Sequence, residues 1–191
     1  MNLILASTSR YRRELLLRLG LPFQTARPDV DETPYPNESP RLLAQRLSEA
    51  KARSVAKSFP NAWVIGSDQV AELDGQAIGK PENFERAADQ LSAASGKTMQ
   101  FFSAFCLFRA QPGKIITNTD VTTVHFRHLK AVEIERYLHK EQPYDCAGSF
   151  KAEGSGISLF DKIESSDPTG LIGLPLISLS KALRQAGLDL F

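Results

Sequence analysis

Residues 2–20 have the sequence NLILASTSRYRRELLLRLG, in which an apolar run passes through a polar turn into a helical pattern. The apolar run at residues 2–6 is typical of a short buried strand. The hydroxyl side chains of Ser7-Thr8-Ser9 are suited to cap a helix, and leucines recur at helical spacing as far as Gly20, a residue type that often ends helices. This stretch therefore predicts a strand, a polar turn and a helix.

The rest of the chain continues the mixture of helices and hairpins. Asp74-Gly75 is a strong hairpin signal between predicted strands at residues 63–73 and 76–79. The other predicted elements are an extended loop at 21–40, helices at 40–58, 84–95 and 130–140, a second hairpin of strands at 99–109 and 115–126, a strand at 157–163 and a closing helix from Pro175. The pattern predicts an α/β or α+β fold with a mixed β-sheet and flanking helices, built as a single domain over residues 1–191.

The composition excludes several classes of protein. The 191 residues include 23 Lys and Arg against 22 Asp and Glu, for a formal net charge of +1. That balance provides no broad electrostatic surface for a long nucleic acid or an anionic membrane, and it favours a compact anionic ligand. Cys106 and Cys146 lack CxxC spacing and are expected to be reduced thiols. Because no stretch of about 18 apolar residues and no charged leader segment is found, we expect a cytoplasmic protein without a membrane partner.

The first turn and helix offer a candidate phosphate site. The free N–H groups and hydroxyls of Ser7-Thr8-Ser9 point at one spot, and Arg12 and Arg13 lie where guanidinium groups could grip phosphate oxygens. The alternative is an ordinary helix cap with solvated arginines. Cations near a helix N-terminus oppose the helix dipole, which favours an anionic ligand.

Carboxylates occur at two places that suit metal or catalytic chemistry. Asp29, Asp31 and Glu32 could supply oxygen ligands to Mg²⁺, or they could belong to a solvated acidic loop. Asp68 lies inside an apolar strand, where aspartate is rare. A buried carboxylate there requires a partner, a metal or a catalytic role.

Two lysines could complete a cationic lining for a polyphosphate. Lys51 interrupts the apolar i, i+4 series of its helix and would face inward, unless it extends to the rim of that face. Lys80 follows the second strand of the first hairpin, where a surface turn is the alternative. His125 and His128 do not form a zinc site, because residues three apart in a strand point to opposite faces.

Six short motifs follow one another along essentially the whole chain. They are Ala6–Ser9 with Arg12–Leu16, Val30–Thr33, Glu49–Ala52, Gly66–Gln69, Gly79–Pro81, and Ala147–Phe150 through Gly154. In order and spacing they together resemble the Maf family of nucleotide pyrophosphatases. The resemblance implies an α/β fold similar to the inosine triphosphate pyrophosphatases, with two lobes around a cleft. It also implies a divalent metal, Mg²⁺ or Mn²⁺, often a homodimer, and cleavage of a nucleoside triphosphate to a monophosphate and pyrophosphate.

The resemblance assigns roles to individual residues. Glu32 and Asp68 would hold the metal, with Asp68 also activating the attacking water, although the two carboxylate roles can be reversed or shared. The residues that would hold the triphosphate are Ser7, Arg12, Arg13, Lys51 and Lys80.

Three further residues resemble the branch of the family that acts on 7-methyl-GTP. Tyr11, Gln69 and Glu153 stand where the branch acting on dTTP and UTP has Arg, Thr and Gln. An aromatic ring can stack on the cationic N7-methylguanine, worth about 0.5–2 kcal/mol, and a carboxylate can complement its charge. The 7-methyl-GTP branch more often has Trp at the position of Tyr11, and Tyr preserves the stacking surface.

Other functions are compatible with parts of this pattern. Within the enzyme class, the substrate could be another modified nucleotide, or dTTP and UTP. A non-catalytic nucleotide-sensing regulator could use the same phosphate site, but the presence of Asp68 and Glu32 argues against it. A nucleic-acid-binding module is disfavoured by the near-zero net charge and the lack of a basic and aromatic stripe.

Overall fold

A seven-stranded mixed β-sheet forms the centre of the fold in the computed structural model, which describes residues 2–190. Within this range no helix combines the length and the apolar character needed to span a bilayer. The strands are β1 Leu3–Ala6, β2 Gln24–Ala26, β3 Trp63–Leu73, β4 Gln76–Ile78, β5 Thr98–Arg109, β6 Lys114–Phe126 and β7 Phe160–Glu164. The α-helices are α1 Arg10–Leu17, α2 Pro40–Ala56, α3 Phe84–Ala94, α4 Ala131–Glu141 and α5 Leu176–Gln185.

The strand order is β2-β1-β3-β5-β6-β7, with β4 paired to β3. Strands β2, β1 and β3 are mutually parallel, and the other pairs are antiparallel, so the predicted mixed α/β sheet is confirmed. The predicted strand at 157–163 is wrong at its start, because residues 155–159 form a 3₁₀ turn and β7 begins at Phe160. Gly156 packs against the backbone of Lys151, which a side chain at this position would prevent.

Helix α2 covers one face of the sheet, and its backbone packs closely against the backbone of β3. Its start follows the predicted pattern: Ser39 Oγ accepts a hydrogen bond from Leu42 N, and Pro40 is the first helical residue. Gly66 of β3 lies directly below the helix. A Cβ at Gly66 would be 2.1 Å from Ser48 O and 2.5 Å from Ala52 N. The absent side chain therefore sets the close packing that brings the middle of α2 to β3.

Gly66→Ala is expected to lower the free energy of unfolding by about 2–3 kcal/mol, the usual cost of forced overpacking. The reason is that the added methyl overlaps backbone atoms, which cannot rotate away as a side chain can. Urea denaturation measures the change. Gly79→Ala is the matched control, because a Cβ at Gly79 meets nothing within 4 Å. Equal stability of the two variants would contradict this packing argument.

The opposite face of the sheet carries two hydrophobic clusters, one at each end. One cluster packs α1 and α5 against the sheet and includes Leu16, Trp63 and Leu183. The other packs α3 and α4 against the far ends of β3, β5 and β6, and includes Phe101 and Leu138. The two clusters lie on the same face because side chains alternate along each strand.

A polar belt crosses this face between the two clusters. It consists of Ser67 and Gln69 of β3, Ser103 of β5 and Asp120 of β6, and it holds the loop at residues 165–173. The distances are 3.0 Å from Ser67 Oγ to Gly173 O, 2.7 Å from Ser103 Oγ to Gly170 O, 2.9 Å from Gln69 Nε2 to Leu171 O, and 2.6 Å from Ser166 Oγ to Asp120 Oδ1. The belt thereby fixes the backbone of this loop beside the sheet.

Candidate active site

A buried lysine joins two carboxylates at the centre of the site. Lys51 Nζ of α2 lies 2.6 Å from Asp68 Oδ1 of β3 and 2.8 Å from Glu32 Oε1 of the preceding loop. The side chains of Lys51 and Asp68 are 7% and 9% exposed, whereas that of Glu32 is 59% exposed. Lys51 therefore faces inward, and Asp68 has the partner that a buried carboxylate in an apolar strand requires.

A cleft of about 1360 Å³ opens beside this cluster. It brings together most of the predicted phosphate and metal residues, which come from six different segments of the chain. Those residues are Ser7, Arg12, Glu32, Lys51, Asp68 and Lys80. Arg13 is an exception: it is exposed and does not line the cleft. Successive helical residues point in different directions, with about 3.6 residues per turn, so Arg12 but not Arg13 lines the cleft. A phosphate contact from Arg13 stays a prediction.

The turn between β1 and α1 contributes to this cleft through two serines. Ser9 is the N-cap of α1, its Oγ accepting from Arg12 N at 3.4 Å. Ser7 is buried, and its Oγ accepts from Ser9 N at 3.1 Å. The turn is thus an ordinary helix cap in its hydrogen bonds, and its residues Ser7, Thr8 and Ser9 also line the cleft.

Arg12 is held in a defined position at the junction of the cleft and the sheet. Its Nε donates to Gly173 O at 3.1 Å, and Gly173 is itself fixed by the polar belt through Ser67. Burial lowers the pKa of Arg12, while the nearby carboxylates of Asp68 and Glu32 oppose that shift. Because arginine stays protonated in proteins, the site contains a fixed cation beside its two acids.

A smaller pocket of about 120 Å³ adjoins the cleft. The three predicted specificity residues, Tyr11, Gln69 and Glu153, all line it, although they lie far apart in sequence. Arg12 and Lys80 line both the pocket and the cleft, so the two spaces are contiguous. The arrangement is a small pocket with an aromatic wall and an acidic residue, opening onto a larger cationic and acidic cleft.

Tyr11 provides a neutral aromatic wall of the pocket. Its hydroxyl accepts a hydrogen bond of 2.7 Å from Arg10 Nη2, and the guanidinium carbon of Arg10 lies 4.7 Å from the ring centroid. Burial is the main cause that raises the pKa of Tyr11 to about 12. The phenol therefore keeps its proton at neutral pH and offers stacking surface without a negative charge.

Gln69 is tied to the protein more fully than the sequence predicts. Its Nε2 lies 3.0 Å from Ser103 Oγ, 3.0 Å from Gly170 O and 2.9 Å from Leu171 O. These contacts use the donor capacity of the amide. A contact from Gln69 to a substrate would therefore be made by its amide oxygen.

Several lining residues were not predicted. Asp145 and Cys146 line the small pocket, and the Cys146 Sγ lies 3.8 Å from the Tyr11 hydroxyl. Burial is the main cause that raises the pKa of Cys146 to about 12, so this thiol is protonated. Their position just before the glycine-rich motif at 147–154 was the available signal. Arg27 and Arg86 line the cleft, and isolated arginines carry no such signal in a sequence.

The carboxylates in the cleft are of a type and number that suit a divalent cation such as Mg²⁺. No three His, Cys, Asp or Glu side chains converge on a metal position anywhere in residues 2–190. Mg²⁺ is usually bound through one or two carboxylates together with waters and substrate phosphates, rather than by a complete protein cage. Glu32 and Asp68, which meet at Lys51, are a pair of this kind.

A family model and individual known proteins both match nearly the whole chain. The family model described as "Maf-like protein" matches residues 2–186. A protein of Xanthomonas axonopodis pv. citri named 7-methyl-GTP pyrophosphatase is 59% identical over 189 residues, covering 99% of this chain and 98% of that protein. A protein of the same name from Nitrosococcus oceani is 53% identical over 186 residues, covering 97% and 94%.

Solved structures of low sequence identity share the fold. The Staphylococcus aureus Ham1 protein superposes with a TM-score of 0.55 at 12% identity, covering 98% of this chain and all of that chain. A HAM1 protein from Coxiella burnetii gives a TM-score of 0.54 at 15% identity, with 97% and 99% covered. At these identities the likeness concerns the mixed α/β architecture alone.

Proposed function

The chain belongs to the family of Maf-like proteins, and from that premise we propose that it hydrolyses 7-methyl-GTP to 7-methyl-GMP and pyrophosphate. The observation that carries the proposal is the convergence of Tyr11, Gln69 and Glu153 on one small pocket that opens onto the cleft of Lys51 and Asp68. Relatives 53–59% identical over nearly their full length are named for this activity.

The small pocket suits a cationic base. N7-methylguanine carries a positive charge, and stacking on Tyr11 would add a cation–π attraction of about 0.5–2 kcal/mol. Glu153 complements that charge and can accept hydrogen bonds from the N–H edge of the guanine. Asp145 brings a second carboxylate to the same pocket. Unmethylated guanine lacks the charge and gains less from these groups.

The larger cleft suits a triphosphate with a divalent cation. Arg12, Lys51 and Lys80 present positive charge to phosphate oxygens, and Ser7 lines the cleft beside them. Glu32 and Asp68 would hold Mg²⁺ or Mn²⁺. The ion would neutralise phosphate charge and lower the pKa of water at the site.

The reaction needs one water and one base. In the proposed step, Asp68 accepts a proton from water as the water oxygen bonds to the α-phosphorus. The bond from the α-phosphorus to the bridging oxygen breaks, and pyrophosphate leaves with its electron pair. Arg12 and Lys80 stabilise the charge that develops on the phosphate oxygens. The protein contributes positioning and charge neutralisation rather than a covalent intermediate.

The direct test is pyrophosphate release by the purified protein from 7-methyl-GTP, GTP, dTTP and UTP, each with Mg²⁺ or Mn²⁺. We expect 7-methyl-GTP to have the highest kcat/KM. A preference for dTTP and UTP, or for another modified nucleotide, would support the pyrophosphatase activity but would overturn the assignment of N7-methylguanine as the preferred nucleobase. Nucleotide binding without turnover of any substrate would favour the sensing role.

Glu153→Gln is expected to lower the ratio of kcat/KM for 7-methyl-GTP to that for GTP by about 10-fold, equivalent to about 1.4 kcal/mol and within the range of about 1–4 kcal/mol for two unit charges 4 Å apart near a protein surface. The substitution keeps the shape of the side chain and removes its charge. Initial rates of pyrophosphate release with both nucleotides give the ratio. Asp161→Asn, an exposed acid of β7 outside the pocket, is the control. An unchanged ratio would refute charge matching.

A further inference from the structure

The short loop that carries Glu153 is attached to the end of α4 on both sides of this residue. Lys151 and Ser155, each two positions away from Glu153, make hydrogen bonds to Tyr137 and Glu141. Neither Tyr137 nor Glu141 lines the small pocket or the cleft. Their contacts therefore bear on the pocket through the loop.

On the N-terminal side of Glu153, both the backbone and the side chain of Lys151 are held. Lys151 N donates to the Tyr137 hydroxyl at 3.0 Å, and Lys151 Nζ donates to the backbone carbonyl of Glu141 at 2.5 Å. Tyr137 is 7% exposed, and its ring packs in the cluster of α3 and α4. The acceptor for Lys151 N thus comes from a rigid part of the core.

On the C-terminal side, the carboxylate of Glu141 is the anchor. Its Oε1 accepts from Ser155 N at 2.9 Å and also from Ser155 Oγ. A Cβ at Gly154 would lie 3.1 and 3.2 Å from the two carboxylate oxygens, so the glycine leaves room for the carboxylate beside the loop. The hydrogen bonds from Ser155 lower the pKa of Glu141, which keeps this acceptor ionised at neutral pH.

Glu153 itself is exposed and lies in a turn between these two anchors. An unanchored exposed loop would spread the carboxylate over many positions, and ordering it on the substrate would cost conformational entropy. We propose that Glu141 and Tyr137 are positioning residues that set base selectivity by holding the Glu153 carboxylate at the wall of the small pocket. The inference rests on the proposed function for the role of Glu153.

The ratio of kcat/KM for 7-methyl-GTP to that for GTP distinguishes a role in positioning Glu153 from a general role in stability. We expect Glu141→Ala to lower the ratio of kcat/KM for 7-methyl-GTP to that for GTP by about 3–10-fold, in the lower part of the range for coupled neighbouring residues. The kcat/KM for GTP should fall less than that for 7-methyl-GTP, since unmethylated guanine shares the N–H edge but lacks the positive charge that Glu153 complements. Tyr137→Phe keeps the ring and removes the hydroxyl, and it should shift the ratio in the same direction.

Two variants serve as controls, and a third provides a second test. Glu141→Gln retains a carbonyl oxygen as acceptor for Ser155 and should restore the ratio to near that of the unmodified protein. Glu135→Ala removes a glutamate from an exposed position on the same helix and should leave the ratio unchanged. Ser155→Ala removes the hydroxyl donor and provides the same test if Glu141→Ala fails to fold.

A double variant that combines Glu141→Ala with Glu153→Gln tests whether Glu141 acts through Glu153. If Glu141 acts through Glu153, adding Glu141→Ala to Glu153→Gln should produce no further loss of selectivity. A ratio unaffected by Glu141→Ala, Ser155→Ala and Tyr137→Phe, in a series where Glu153→Gln does lower it, would overturn the positioning role and leave the proposed function intact. A ratio unaffected by Glu153→Gln would overturn both the positioning role and the charge matching on which it rests.

Discussion

Asp68→Asn is expected to lower kcat for pyrophosphate release from 7-methyl-GTP by about 10²–10⁴-fold, the range for loss of a general base. The amide keeps the size of the side chain but cannot accept the proton of the attacking water at neutral pH. Rates under saturating substrate and Mg²⁺ measure the loss, and Asp68→Ala should be at least as impaired. Near-normal turnover of either variant would exclude Asp68 as the base.

Two further variants locate this effect. Asp31→Asn removes a neighbouring exposed acid whose Oδ1 accepts from Thr33 N at 2.9 Å, and it should leave kcat unchanged. Glu32→Gln should mainly raise the Mg²⁺ concentration needed for half-maximal rate, if Glu32 is the ligand and Asp68 the base. The reverse result, with kcat lost in Glu32→Gln and Mg²⁺ dependence shifted in Asp68→Asn, would exchange the two roles.

Lys51→Met is expected to lower the free energy of unfolding by about 3 kcal/mol, because loss of one partner leaves a buried charge uncompensated. Asp68 is 9% exposed and would lose its 2.6 Å contact with the ammonium. Arg12 lies close enough to offset part of the loss, which places the expected effect near the lower end of the range for buried ion pairs. Urea denaturation, followed by circular dichroism, measures the change.

A double-mutant cycle distinguishes this electrostatic cause from lost packing. In the Asp68→Asn background the same Lys51→Met substitution leaves no buried anion and should cost clearly less. An equal cost in both backgrounds would show that the lysine contributes through its aliphatic chain rather than through its charge. Arg53→Met, at a half-exposed pair with Glu49 on the same helix, should have a small effect.

The two members of the central pair, Lys51 and Asp68, could each be predicted from the sequence because their signals are local. Lys51 stands in an i, i+4 apolar series, and Asp68 stands in an apolar strand, so each is marked as an inward-facing charge by its immediate neighbours. That the two meet was not deducible from periodicity. It depends on the close approach of α2 to β3 over Gly66, which places the fourth turn of the helix above that part of the strand.

The less predictable features depend on contacts between distant segments. Gln69 was identified by resemblance as a specificity residue, but its amide nitrogen is bound to carbonyls 101 and 102 residues away. The anchoring of residues 151–155 by Glu141 likewise involves a loop with no regular pattern. Arg12 and Arg13 look equivalent in sequence at the start of a helix, whereas the turn of α1 places Arg12 and not Arg13 along the cleft.

Strands β3 and β5 are paired without interruption from Val64 to Leu73, and they pass beneath both hydrophobic clusters. The two clusters are therefore built on one stiff support, and a hinge between them would have to break hydrogen bonds in the middle of the sheet. A ligand can then be captured by local adjustment of the surrounding loops, without a hinge in the sheet.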